Sequence, residues 1–178
     1  MSHLRIPVSD QDHSVGPADA PLTLVEYGDY QCPYCGEAYP VVKRLLAQYD
    51  GRIRFVFRNF PLAEIHPEAV DAAIVAEFAA EHGDFWKAHD LLYENQADLG
   101  PRLYERICDT LGLSAADLAT SAEAGTSLTR IRADEEGGIR SGVNGTPTFF
   151  LDGAIVEAGT AGLADAIRSA LGNGASGS

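Results

Sequence analysis

The sequence predicts an α/β fold in which a sheet is interrupted by a block of helices. Three observations carry this. Residues 52–60 alternate with period two, with Ile53, Phe55 and Phe57 on one face and Arg52, Arg54 and Arg58 on the other, which is a strand. Across residues 66–140 the apolar spacing is helical and the composition rich in Ala. Beyond it the β pattern returns, with 148–151 and 155–157 flanking the hairpin pair Asp152-Gly153.

The elements follow in order. Residues 1–20 are polar, contain Pro7, Gly16 and Pro17, and read as a surface arm. Leu22, Leu24 and Val25 open a strand in PLTLVEYGDY. Cys32-Pro33-Tyr34-Cys35 comes next and leads into a helix that Gly51 ends. Pro40 should kink or split that helix. The arginine side of the next strand reads as a solvated face. In the helical block, Pro67 stands where a first helical residue belongs, and Val70, Ile74 and Phe78 form an i, i+4 stripe. A second helix over 85–95 carries Phe85, Trp86, His89, Leu92 and Tyr93. Pro101 starts a third that ends at Gly112, Ser114 with Asp117 forms a capping box, and Thr126 caps a fifth. Thr160 caps a last helix over 163–171. The expected organisation is an arm at 1–20, a discontinuous sheet domain at 21–62 and 141–172, an inserted helical domain at 63–140, and a flexible tail at 173–178.

Composition excludes several classes of function. The 178 residues are 46% hydrophobic and 22% charged, ordinary for a globular chain. Thirteen Lys and Arg against 26 Asp and Glu leave a net charge of −13, which opposes nucleic-acid binding. The apolar runs fall far short of the roughly 20 residues a membrane span needs. The first 20 residues lack the apolar core of a secretory signal. As written, the chain is expected in the cytoplasm, or in the periplasm or outside the cell if an export signal has been removed. Three cysteines are too few for a disulfide scaffold.

The chemistry sits at Cys32 and Cys35, where an apolar strand meets a helix. A helix N-terminus carries about +0.5 of a charge and free N–H groups, both of which favour a thiolate. Cys32, at the cap, is the candidate nucleophile. Cys35, one turn in, is close enough to pair with it and more shielded. Pro33 suits the first helical turn, where its missing N–H is not used. A zinc site needs four ligands, and neither a second CxxC nor His at metal spacing accompanies this pair. A redox dithiol without metal or other cofactor is the better reading.

With these residues the chain resembles the DsbA-like branch of the thioredoxin superfamily over roughly residues 15–172. Beside the CxxC, the resemblance rests on Asn59-Phe60-Pro61-Leu62 through His66-Pro67, on Gly83-Asp84-Phe85-Trp86 with His89-Asp90 and Glu94-Asn95-Gln96, and on residues 142–149, GVNGTPTF. It implies a thioredoxin-like fold with an all-helical insertion, and a cis bond before Pro147. It implies that Thr146 pairs its backbone with a substrate peptide. It also implies that Glu26, six positions before Cys32, is a buried acid that relays a proton to or from Cys35. Strongly oxidising relatives carry His where this chain has Tyr34, and tyrosine offers at most a neutral hydroxyl to the thiolate. A less oxidising disulfide is expected, with the direction of exchange open.

The expected function is thiol–disulfide exchange with protein substrates through a mixed disulfide. A redox partner protein or a low-molecular-weight thiol would recycle the pair. The alternatives are a kappa-type thiol-dependent transferase or isomerase, and a non-catalytic CxxC module. Cys108 reads as a buried small hydrophobe, Trp86 as core, His66 as a cap or surface group, and the run from Arg132 as a solvated helix end.

Overall fold

The computed structural model describes residues 1–174. Its elements are β1 (His13–Val15), β2 (Leu22–Gly28), α1 (Pro33–Gln48), β3 (Ile53–Asn59), α2 (Ala69–Glu81), α3 (Phe85–Glu94), α4 (Pro101–Leu111), α5 (Ala115–Ala124), α6 (Leu128–Arg140), β4 (Thr148–Leu151), β5 (Ala154–Ile155) and α7 (Leu163–Gly174). The strands form one sheet in the order β1-β3-β2-β4-β5. Only β2 and β3 run parallel, joined through α1 as a parallel pair must be joined by a crossover. Asp152 and Gly153, both at positive φ, turn β4 into β5, as the type I′ hairpin preference expects.

Alternation along the strands gives the sheet two unlike faces. Leu22, Leu24, Ile53, Phe55, Phe57, Phe149 and Leu151 face one way and pack with Ala38, Val42 and Leu45 of α1 and Leu163 and Ile167 of α7. Val25, Tyr27, Val56 and Phe150 face the other way and pack with Phe60, Val143 and the partly buried Leu4 and Val8. The inserted helices share the first of these cores. Ala72, Val75, Ala76, Leu92, Leu103 and Ile107 belong to the same cluster as Leu24 and Phe57.

Several expectations need correction. Residues 1–20 are not merely a surface arm. His13–Val15 is an edge strand, antiparallel to β3. The arginine face of β3 is solvated only in part, because that N-terminal segment covers Arg58 while Arg52 stays exposed. Arg58 is buried, its Nε and Nη2 donating to Asp12 at 2.8 and 3.0 Å and its Nη1 to Tyr27 Oη and the Ile6 carbonyl at 2.9 Å. Helix α1 runs unsplit through Pro40, which lies on its exposed side, so the lost hydrogen bond is not demanded of the core. Helix α2 begins two residues after Pro67 and is buried nearly all round rather than along a stripe. Its many alanines let other elements close on it from several sides. Ser127, not Thr126, precedes α6, and it makes no side-chain cap. The run from Arg132 ends in two buried glycines, and a Cβ at Gly138 would collide with Phe60 and Tyr27. The Ser114 cap is present, its Oγ accepting from Asp117 N–H at 3.1 Å. The last helix reaches Gly174, so 173 and 174 are helical, and the remainder of the expected tail lies outside the described residues.

The Arg58–Asp12 pair generates a stability prediction. Removing one partner leaves the other buried and uncompensated. Asp12→Ala is expected to cost about 3 kcal/mol in denaturant unfolding. A loss no larger than that of an exposed substitution would mean the N-terminal segment does not clamp the sheet.

Candidate active site

The site is built where β2 ends and α1 begins. Asp29, one residue past β2, is buried to 1% exposure. Its Oδ1 accepts from the N–H groups of Gln31 and Cys32 at 2.8 and 3.2 Å, and the Asp29 carbonyl accepts from Cys32 N–H at 3.1 Å. This is an Asx-type turn, in which a short carboxylate ties down the backbone just ahead of it. Oδ2 accepts from Leu62 N–H at 2.9 Å and from His66 Nδ1 at 2.7 Å, so the same carboxylate holds the loop after β3. From the other side Gln96 Nε2 donates to the carbonyls of Tyr30 and Cys32 at 2.9 and 2.8 Å. Gln96 comes this close because residue 36 is glycine; a Cβ there would collide with its amide.

Held in this way, Cys32 is the N-cap of α1 and Pro33 its first residue. Both cysteines are thiols and both are buried. Their acidities diverge. A hydrogen bond from the Cys35 thiol, assisted by Thr146 and by the N–H groups of Cys35 and Tyr34, outweighs burial and pulls Cys32 down to about 5. Burial pushes Cys35 far up, and its hydrogen bond to Cys32 and the charge of Glu26 push it further. The Tyr34 side chain is 68% exposed, and it is its backbone N–H that acts on Cys32. The expected histidine-for-tyrosine comparison thus concerns a side chain that points into solvent.

Facing the pair is the loop before β4. The Thr146–Pro147 bond is cis. The Thr146 carbonyl lies 3.5 Å from Cys32 Sγ and accepts from it when it is protonated. The Thr146 hydroxyl is buried without any other partner. Beneath the pair lies Glu26, 3% exposed. Alternation puts it on the α1 side of β2, with Phe57 and Phe149 as its cross-strand neighbours. Burial, and secondarily the charge of Cys32, raise its carboxyl to about 8, and its Oε1 has no hydrogen-bond partner.

The structure therefore brings Cys32, Cys35, Glu26, Thr146 and Pro147 together. Sequence reasoning missed Asp29 and gave His66 and Gln96 no role at the site. An Asp three residues before a helix cap was the available signal for the first. The other two act from distant segments. Tyr30 and His89 form a buried support, the Tyr30 hydroxyl and His89 Nδ1 sharing a hydrogen bond of 2.9 Å, while burial drops His89 to about 3 and keeps it neutral. Among the described residues no group of three or more His, Cys, Asp or Glu is placed to hold a metal ion.

A dithiol at the head of the helix that links two parallel strands, with a cis-proline loop across from it, defines a thioredoxin-fold redox site. The sequence model described as Thioredoxin matches residues 8–168, and the chain belongs to that family. The structure of oxidised BdbD from Bacillus subtilis matches at 21% identity and a TM-score of 0.83, over 96% of this chain and 98% of that one. The alpha-DsbA1 protein of Wolbachia pipientis matches at 22% and 0.69, over 83% and 77%. The fold is that of DsbA-like proteins. A curated relative, the Na(+)/H(+) antiporter NhaA 3 of Salinispora tropica, is 46% identical over 155 residues. That match covers 84% of this chain and 23% of the relative, so the chain spans about a quarter of that protein's length. Among the described residues no helix is long and apolar enough to cross a membrane.

Two titrations test the electrostatics. The alkylation rate of Cys32 is expected to rise with a midpoint near 5, and Cys35→Ala, which removes the foremost donor, should move that midpoint upward. An unmoved midpoint would assign the effect to the helix end alone. For Glu26, a raised acid favours its neutral form in the fold, so its cost to stability grows as pH rises from the ordinary 4.5 toward about 8. Glu26→Gln should gain on the reduced wild-type protein across that window in unfolding curves. A pH-independent difference would mean that the carboxyl is hydrated.

Proposed function

We propose that the chain is a thiol–disulfide oxidoreductase of DsbA type acting on protein substrates. The observation that carries this is the placement of the two cysteines, Cys32 at the N-cap of α1 against the Thr146 carbonyl and Cys35 fully buried one turn behind it. The Cys32 thiolate attacks a substrate disulfide, forming a mixed disulfide and expelling one substrate sulfur as thiolate. Cys35 then gives its proton to the Glu26 carboxylate and attacks Cys32 Sγ. The Cys32–Cys35 disulfide forms, the second substrate thiolate leaves, and two electrons have passed to the substrate. Run backwards, the same steps oxidise a substrate dithiol.

Glu26 suits this role because part of its upward shift comes from the Cys32 charge. Once Cys32 is bonded to substrate that charge is gone, and the carboxyl becomes more acidic when a carboxylate is needed. Thr146, beside Cys32, supplies backbone against which the attached substrate chain lies. The segment 63–140 serves the site through His66, His89 and Gln96.

Cys32→Ser should abolish reduction of an insulin-type substrate, and Cys35→Ser should accumulate mixed disulfide. Full turnover in the latter would remove the proposed second step. Cys32 near 5 lies between the acidities of the thioredoxin and DsbA nucleophiles, so the reduction potential is expected between roughly −270 and −120 mV. A value outside that range would mean that the acidity of Cys32 does not set the potential of the pair.

A further inference from the structure

A carboxylate is an awkward neighbour for a thiolate. The Asp29 side chain is fully buried, and its Oδ1 accepts from the N–H of the very residue that carries the reactive sulfur. In surroundings this dry, a like charge so close disfavours the Cys32 thiolate. The Tyr34 side chain is turned to solvent and offers no compensation. Among the described residues, the one basic side chain within ion-pair distance of Asp29 is His66, whose Nδ1 stands 2.7 Å from Oδ2. The histidine side chain is only 15% exposed, so solvent screens the pair little.

The backbone around His66 keeps the ring in place. Its N–H donates to the Leu62 carbonyl at 2.9 Å, and its carbonyl accepts from Ala69 N–H at 3.1 Å. Two residues on, Glu68 N–H donates to Gln31 Oε1 at 2.6 Å, so the turn before Cys32 and the loop before α2 bond each other in both directions. The acids of that loop are engaged elsewhere. Glu68 Oε2 accepts from the Tyr104 hydroxyl of α4 at 2.8 Å, and Glu64 is exposed.

We propose that His66 is a positioning residue for thiol–disulfide exchange: paired with Asp29, it offsets the carboxylate charge beside Cys32, and so favours the thiolate and makes the disulfide more oxidising. A stabilised reduced form is what gives such a disulfide its oxidising power. The direction of exchange then has a determinant outside the Cys32–Cys35 segment. That consequence rests on the proposed function, while the electrostatic coupling is measurable without turnover.

His66→Asn keeps an N–H where Nδ1 stands and carries no positive charge. In this variant the alkylation midpoint of Cys32 should rise from about 5, and equilibrium with a dithiothreitol couple should move several-fold toward the Cys32–Cys35 disulfide. Adding Asp29→Asn should bring both readings back toward wild type, since no charge is then left to offset. A folded His66→Asn protein with both readings unchanged would reduce His66 to a brace and overturn the proposal. A folded double variant that departs further from wild type would do the same. The coupling is reciprocal, so it is also readable without variants. Oxidation of the pair removes the thiolate charge, and the His66 ring titration followed by NMR should then move to lower pH. Identical titrations in the reduced and oxidised protein would overturn the proposal. Wild-type protein that shows these shifts but exchanges no disulfide with protein substrates would overturn the proposed function and leave the coupling standing.

Discussion

Asp29, buried just past the end of β2, accepts hydrogen bonds from its own turn and from Leu62 and His66 in the loop between β3 and α2, and so fastens two chain segments at one point. A buried carboxylate is costly unless its lone pairs are met, and here they are met by four donors. The arrangement fixes where α1 begins. Because Cys32 caps α1, the thiol meets N–H groups that no earlier turn can satisfy. Gln96 completes the brace by holding the carbonyls on either side of Gln31. The reactive sulfur is thus positioned by backbone geometry that other parts of the chain hold in place.

Around that point three acids share a small volume. Cys32 is lowered by donors, whereas Cys35 and Glu26 are raised by burial and by each other's charge or that of Cys32. Like charges this close in an apolar surrounding disfavour one another. The site therefore holds one negative charge, and Cys32, nearest the N–H groups, is where it resides. In the proposed mechanism, substrate takes the charge from Cys32, the balance shifts toward Glu26, and the second cysteine is deprotonated in its turn. One helix end and one buried strand residue give the two sulfurs different roles.

Much of this was legible in the sequence, for identifiable reasons. The period-two runs in β2 and β3 name the sheet faces, because alternation is a property of the strand itself. The CxxC between strand and helix singles out Cys32 as the candidate nucleophile, since the helix end acts locally. What alternation does not name is the cover of a face. Arg58 read as solvated because the residues that bury it come from a segment more than 40 positions away. Helix α2 read as one-sided because a stripe pattern presumes a single neighbour, while its alanines admit several. Glu26, Thr146 and Pro147 came through family resemblance; nothing in their local sequence specifies them. Asp29 escaped because only two of its four partners are local.

The claim on which the rest stands is that the fold separates the two thiols in acidity. The most direct measurement is a carbon NMR titration of the reduced protein labelled at cysteine Cβ, assigned with single cysteine variants. The Cys32 resonance should shift with a midpoint near 5 while that of Cys35 stays in its thiol position well into alkali. Two overlapping transitions near the ordinary thiol value of about 8.5 would contradict the account and leave the pair without a preferred nucleophile.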